Sequence, residues 1–319
     1  MLKVSVIITA YNRCEQLKTV LENLTAQTTG GEFLYEVAVV DNNSGDATKG
    51  VVESYIPEFS SAAMKNKCLG LTYIFEPAQG KSHALNRGIR EVKGDYIFFS
   101  DDDVRIDKNW LKSGMDCFRA YKCDGVGGRV IPVYPDDTPA WIRREDKNRM
   151  AGVVVTYDYG EGTRKYDPSM DEFIGANYGF KRQVFEDCGN FRTEFSKMSV
   201  PVGEDREFIY RVLSKGKVLY YCGSAVVWHP VDIARAKLKN VAKWNIALGR
   251  ASAQRELEQG LQFKHMFGFP QYLLRGVIWD FARLFPALFS RPALFHALRR
   301  FYRKVGMIKE YRELKKHEL

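Results

Sequence analysis

Cysteine is sparse in this chain of 319 residues. Cys14, Cys68, Cys117, Cys123, Cys188 and Cys222 contain no Cys-x-x-Cys pair. Neither a disulfide framework nor a thiolate zinc site is therefore indicated, and reduced thiols fit a cytoplasmic protein. Gly-x-Gly-x-x-Gly and the Walker loop are also missing, so neither dinucleotide nor P-loop chemistry is indicated. No stretch reaches the roughly 20 uncharged apolar residues of a spanning helix. The nearest, 267–298, is cut by Arg275, Asp280, Arg283 and Arg291, so an integral membrane protein is not expected. The first apolar run, 4–10, meets Tyr11-Asn12-Arg13 instead of a small-residue cleavage site, and no secretory leader is expected. Internal repeats and low-complexity linkers are absent.

What is present is enough for a large core: 45% apolar and 13% aromatic residues. The length predicts one large domain or one domain with an appendage. Net charge is +9, unevenly placed. Residues 261–319 hold twelve Lys/Arg and four Asp/Glu, while 1–260 hold 36 and 35, so the basic character belongs to the tail.

Unbroken β-branched runs at 3–10, 35–40, 71–76 and 95–100 read as buried strands. They alternate with amphipathic helices expected over 15–27, 47–55 and 80–92. That alternation predicts an α/β fold with a mostly parallel sheet. Further on, a helix is expected at 110–121, strands at 125–133, 153–157, around Phe180 and at 217–227, and a helix at 204–213. From about Ile233 the chain reads as helical to its end.

The fourth strand runs into Asp101-Asp102-Asp103. Three adjacent carboxylates repel one another, a cost tolerated when a cation sits among them. Oxygen ligands on a short turn suit Mg²⁺ or Mn²⁺, held with help from substrate phosphates. The plainer reading is a solvated acidic turn. Asp41 closes the second strand, where open α/β sheets bind ligands, but a strand-terminal Asp also caps turns. Gly80, Lys81 and Arg87 belong to a helix start suited to a diphosphate. Glu204-Asp205 opens a helix, where acids also serve simply to stabilise the N-terminus. His229 beside Trp228 is either a metal ligand or a packed core residue.

Taken together, VSVIITAYNR (4–13), VVDNNSGDAT (39–48), GKSHALNRGI (80–89) and FFSDDDV (98–104) resemble a family 2 glycosyltransferase. So do GANYGFKRQVFEDCGNFRTEF (175–195), GEDREFIYRV (203–212) and WHP (228–230), in the same order and spacing over 3–230. The resemblance implies a GT-A fold, a nucleotide-sugar donor, a divalent metal and inversion at the anomeric carbon. It places Ala10, Tyr11, Asn12, Arg13 and Asp41 around the nucleotide, with Gly80, Lys81 and Arg87 near the diphosphate. Many members read Ala-Arg-Asn where this chain has Ala84-Leu85-Asn86, so which basic residue meets the phosphate stays open. It puts Asp101 and Asp102 on the donor, Asp103 and His229 on the metal, Asp205 (with Glu204) at the catalytic base, and Gly175, Ala176 and Asn177 on the acceptor side. Trp141 lies in the 134–164 region, where acceptor specificity is usually built, and is a candidate sugar platform.

The expected architecture is a GT-A catalytic domain over 1–232, with a nucleotide half (1–104) and an acceptor half (105–232). A basic helical region follows over 233–319. The expected activity is hexosyl transfer from a nucleoside-diphosphate sugar, a UDP-sugar first, to a surface glycan or lipid-linked acceptor. A sugar nucleotidyltransferase would need a Gly-rich triphosphate loop that 9–12 does not offer, and a non-catalytic nucleotide-sugar binder could dispense with Asp205. In the tail, Leu273, Leu274, Val277, Ile278, Phe281, Leu284 and Phe285 share a helical face. So do Leu294, Phe295, Leu298, Phe301, Tyr302 and Val305, with Arg299, Arg300, Arg303 and Lys304 opposite. These faces either dock on an anionic membrane, on its inner side, or pack on protein. No nucleic-acid recognition motif accompanies the charge.

Overall fold

The computed structural model describes residues 1–144, 153–167, 169–171, 173–194, 203–258, 261–267 and 269–317. The chain forms two compact units. One comprises 1–133, 155–196 and 204–230, the other 134–154, 197–203 and 231–319.

The first unit is built on one mixed sheet. Strands β1 (Leu2–Ala10), β2 (Phe33–Asp41), β3 (Cys68–Phe75) and β4 (Tyr96–Asp101) are parallel, in the order β3-β2-β1-β4. Helices α1 (Cys14–Thr25), α2 (Thr48–Asn66) and α3 (Lys81–Glu91) make the crossovers. The sheet continues through β8 (Tyr178–Lys181), β6 (Gly125–Val133), β9 (Leu219–Pro230) and β5 (Arg105–Ile106), with β7 (Thr163–Lys165) on β9. Around it lie α4 (Trp110–Tyr121), α6 (Arg182–Cys188) and α7 (Glu204–Ser214). Strands β1 and β2 are buried almost throughout because helices cover both faces. Phe99, Tyr178, Phe180, Phe185, Phe191 and Phe208 cluster on one face of β4 and β8, while Phe98 packs against Trp110 and Phe118 on the other. Gly114 and Gly179 admit the Phe98 ring, since a Cβ at either would fall within 3.0 Å of it.

Two local expectations fail for tertiary reasons. Helix α2 runs through Pro57 to Asn66 instead of ending near residue 55. Val51, Val52 and Phe59 are buried along it, and that burial outweighs the missing N–H. The expected 153–157 strand does not form, because only Tyr157 bridges Val130.

The second unit holds α5 (Ala140–Arg144), a 3₁₀ turn at Ile233–Ala236, and α8 (Leu238–Glu258). It continues with the hairpin β10 (His265–Met266)–β11 (Phe269–Pro270), then α9 (Gln271–Ala282), α10 (Leu284–Ala287) and α11 (Arg291–His317). Of the described residues, 134–144 and 153–154 belong to the unit that holds the tail, where an acceptor half of the catalytic domain was expected. The cause is a cluster in which Ile142, Val153 and Val154 bury against Val231, Val241 and Phe295. Helices α8 and α11 approach until their backbones touch: a Cβ on Gly249 would lie 2.0 Å from the Arg303 carbonyl, and one on Gly306 2.1 Å from that of Ile246.

The expected basic face of α11 is partly spent on contacts within this bundle. Arg300 Nε lies 3.3 Å from Asp280 Oδ1, Lys304 pairs with Asp280, and Arg303 donates to Ser252 at 3.1 Å. Buried Asp280 requires compensating cations, which draws these side chains inward. The expected apolar face of α9 divides in the same way. Leu273 is buried, whereas Ile278, Phe281 and Phe285 are exposed.

Candidate active site

Three parallel strands end at one edge of the sheet, in Ala10, Asp41 and Asp101, and register places Thr9 beside Asp101 and Ala10 beside Asp41. Beyond β4 the chain turns through 102–104 into β5, which pairs antiparallel with β9 so that Arg105 faces Trp228. Continuing that register sets His229 opposite Val104, next to Asp103. Ligand oxygens of Asp101 and Asp103 and a ring nitrogen of His229 all lie within 4.8 Å of one another. His229 Nδ1 is 2.8 Å from the Pro230 carbonyl, which can only accept, so this nitrogen carries the proton. Nε2 is therefore the ring nitrogen that faces Asp103 Oδ1, at 3.8 Å. Asp103 Oδ1 is buried without a hydrogen-bond partner among the described residues. An orphaned buried carboxylate oxygen beside a preset imidazole nitrogen fits a divalent cation such as Mn²⁺.

The remaining acids are held by two cations. Arg13 donates from Nη1 to Asp102 Oδ1 at 3.2 Å and to Asp103. Lys81, opening α3, donates to Asp101 Oδ1 at 2.7 Å. Burial opposes ionisation of Asp101, but Lys81, His229 and Arg13 outweigh it and hold its carboxyl below the usual range. Burial dominates at Asp102 and pushes it up to about 7.

Asp205 sits in the first turn of α7, oriented from two sides. Tyr178 Oη donates to Oδ1 at 2.7 Å and the Gly175 N–H to Oδ2 at 3.1 Å. A Cβ on Gly175 would lie 2.7 Å from Asp205 Oδ2 and 2.9 Å from Lys81 Nζ, so the absence of a side chain there lets acid and lysine converge. Burial raises Asp205 above the ordinary carboxylate range, while Lys81 and the Tyr178 hydroxyl pull it down. Glu204 is also raised, by burial and by the charge of Asp205. Its Oε2 has no hydrogen-bond partner among the described residues.

A family model described as "Glycosyl transferase family 2" matches residues 5–189. The chain belongs to glycosyl transferase family 2. Among curated relatives, the glycosyltransferase AglE of Haloferax volcanii is 26% identical over 275 residues, which are 86% of this chain and 81% of that protein. The succinoglycan biosynthesis protein ExoM of Rhizobium meliloti is 25% identical over 78% of this chain and 74% of its own. Among solved structures, the mannosyltransferase PcManGT of Pyrobaculum calidifontis, in complex with GDP-Man and Mn²⁺, aligns with a TM-score of 0.59 at 18% identity. That alignment covers 96% of this chain and 86% of the other. TarS 1-349 of S. aureus in complex with UDP gives 0.55 at 15%, covering 98% and 92%. The architecture is therefore GT-A with added C-terminal helices, and the protein is a glycosyltransferase.

In this family 2 glycosyltransferase the predicted residues gather unevenly. Tyr11, Arg13, Lys81, Asp101, Asp102, Asp103, Asp205 and His229 meet at or beside the strand ends, where the Tyr11 N–H donates to Asp102 Oδ2 at 3.1 Å. Ala10 is buried in β1. Asn12 takes φ 53° and accepts from the Gly45 N–H at 2.8 Å, shaping the loop. Asp41 caps its own turn through the Ser44 N–H, as the plainer reading had it, and also accepts from Tyr73 Oη at 2.8 Å. That leaves lone pairs of its carboxylate unused. Gly80 adopts φ 131°, which a glycine tolerates, and its N–H donates to Asn42.

Three expected contacts are not made as expected. Arg87 bonds Glu91 one turn along α3, away from the face that carries Lys81, so Lys81 is the basic residue delivered to the site. Ala176 is fully buried, its carbonyl taken by Ser100 Oγ. Asn177 is buried with its amide committed: Nδ2 donates to the Arg129 and Ala225 carbonyls and Oδ1 accepts from Trp110 Nε1. It braces β6 and β9 and has no group free for an acceptor. Trp141 is half-buried in the second unit, with its ring against Phe295 at 5.5 Å. Phe195, at the end of one quoted motif, lies outside the described residues.

Tyr178 and Tyr73 were not anticipated. Each looks like a core aromatic on a strand, and only the packing of β3 on β2 and of α7 over β8 shows that its hydroxyl meets a carboxylate. Tyr178→Phe keeps the ring and removes the bond that favours ionised Asp205. The carboxyl then rises further, so the acid limb of the kcat profile moves to higher pH. The expected loss is about tenfold at neutral pH, of the size of one hydrogen bond to a charged group, and smaller at alkaline pH. A uniform loss across pH would show the hydroxyl to be merely structural.

Proposed function

We propose that this enzyme is an inverting, metal-dependent hexosyltransferase that uses a nucleoside-diphosphate sugar, with Asp205 as its general base. The observation that carries the reading is the Asp205 carboxylate, fixed by Tyr178 and the Gly175 N–H beside Lys81, which itself bridges to the Asp101–Asp103–His229 cluster. Asp205 takes the proton of the acceptor hydroxyl while that oxygen bonds to the anomeric carbon. The bond from that carbon to the diphosphate oxygen breaks on the opposite face, and the leaving nucleoside diphosphate keeps the electron pair. No enzyme nucleophile takes part, so the configuration inverts. Asp103 and His229 would hold the metal, with Asp101 at its margin. A bound cation there supplies positive charge to the departing diphosphate. Lys81 and the N-terminus of α3 stabilise the same developing charge.

Asp41 and the 10–13 loop form the nucleotide's resting place, and Tyr11, exposed beside it, offers a ring for the base. UDP is the first candidate donor nucleotide, in keeping with the UDP bound to TarS, and GDP the second, after the GDP-Man bound to PcManGT. A glycan or lipid-linked acceptor is favoured, and one relative is named a glucosyl-dolichyl phosphate glucuronosyltransferase. Six free cysteines suit a cytoplasmic setting.

Thermal-shift titration with UDP, GDP, dTDP and CMP, each with Mn²⁺ and again with EDTA, tests the donor site. One nucleoside diphosphate is expected to raise Tm, because a ligand specific to the native state adds about 2.7 kcal/mol at a hundredfold excess over Kd. EDTA should abolish the shift. A shift unaffected by EDTA would remove the metal from the reading, and no shift with any nucleotide would remove the donor site.

A further inference from the structure

We infer that the tip of the α9–α10–α11 hairpin docks on the interface of an anionic lipid bilayer. The proposal goes beyond the transfer reaction and does not depend on which sugar or acceptor is used. Ile278 is 70% exposed, Trp279 67%, Phe285 62%, Leu288 64% and Phe289 95%. They lie within twelve residues that run from the last turns of α9 to the start of α11. Scattered single apolar residues on a surface are ordinary, but five large ones on one helical turn-and-tip are not.

Charge identifies the partner. Exposed Arg275 stands one turn before Ile278 and Trp279, and exposed Arg283 and Arg291 flank Phe285 and Phe289. Between residues 261 and 309 the sole acid is Asp280, which is buried, paired with Arg300 and Lys304, and 3.9 Å from Nη1 of Arg283, whose side chain stays 61% exposed. The apolar tip is thus framed by cations with no exposed acid between them. Trp and Phe seat at headgroup depth while arginine stems reach the phosphates, the pattern of an interfacial anchor. A second copy of the chain fits less well, because a two-fold contact sets each patch against itself and brings its arginines face to face. Among the described residues no helix is long and apolar enough to cross a membrane, so the contact is a surface one.

The full chain should co-sediment with phosphatidylcholine–phosphatidylglycerol vesicles and much less with phosphatidylcholine alone, and salt should weaken the binding. Trp279→Ser with Phe289→Ser should lower the partition coefficient at least tenfold while nucleotide-induced thermal shifts stay unchanged. Both side chains are exposed, so the fold does not depend on them. Arg275→Gln with Arg291→Gln should remove the preference for anionic lipid. Tryptophan emission should shift to the blue on vesicle binding, and Trp279→Phe should abolish that shift while binding persists. Equal partition of wild type and the Ser variant would overturn the proposal. So would a dimer that the Ser variant dissociates, with no vesicle binding by either protein.

Discussion

Asp205→Asn is expected to lower kcat by about 10²–10⁴-fold, the contribution of a positioned general base, while the affinity for the donor nucleotide stays within a few-fold of wild type. The amide can still occupy the site between Tyr178 and Gly175, so geometry is largely kept and only the capacity to take a proton is lost. The pH profile makes the test specific. Burial raises the Asp205 carboxyl, and the ionised form is the working one, so wild-type kcat should fall with decreasing pH at values above the ordinary carboxylate range. The residual activity of Asp205→Asn should lack that limb. A variant that loses donor binding along with turnover would show Asp205 to be structural. One that retains wild-type turnover would move the base elsewhere, with buried Glu204 the nearest alternative.

The second large effect is at the metal. Asp103→Ala is expected to eliminate Mn²⁺-stimulated turnover and to reduce Mn²⁺ affinity measured by calorimetry at least tenfold, with no loss of Tm. The reason is local. Asp103 Oδ1 is buried without a partner among the described residues and faces a histidine nitrogen, so in the protein alone it carries a desolvation cost. Its other oxygen meets Arg13, which retains Asp102 when Asp103 is removed. Unchanged Mn²⁺ binding in Asp103→Ala would exclude the cluster as the metal site. His229→Ala separates ligation from charge: a ligand role predicts weaker Mn²⁺ binding, whereas a core role predicts a lower Tm alone.

Much of the cluster at the strand ends was legible in the chain because its cause is local and periodic. Buried β-branched runs ending in polar residues place those residues at one edge of a parallel sheet whatever the remainder of the chain does. Asp41, Asp101 and the start of α3 follow from that rule. The triplet points to a cation because three adjacent carboxylates need positive charge. The 175–177 segment is less legible. Ala176 and Asn177 look polar or small enough for a pocket lining, yet buried hydrogen bonds across β6, β8 and β9 turn them inward. Nothing in single-residue chemistry distinguishes a free amide from a committed one.

The tail makes the same point more sharply. Amphipathic periodicity identified its helices, since a 3.6-residue period is a property of each helix alone. Which stripe would be covered depended on partners. Asp280, which interrupts the apolar run in sequence, becomes the buried ionic centre that draws in Arg300 and Lys304, and Ile278 and Phe285 are left outside. The chain by itself determined the strand–helix alternation of its first hundred residues, the acidic triplet and the basic helical end, all from local pattern and charge. Only the tertiary structure decided that His229 meets Asp103, that Tyr178 and Gly175 hold Asp205, and which arginines remain at the surface. Those outcomes depend on antiparallel register and on helix contacts between residues far apart in sequence, and no local preference encodes either.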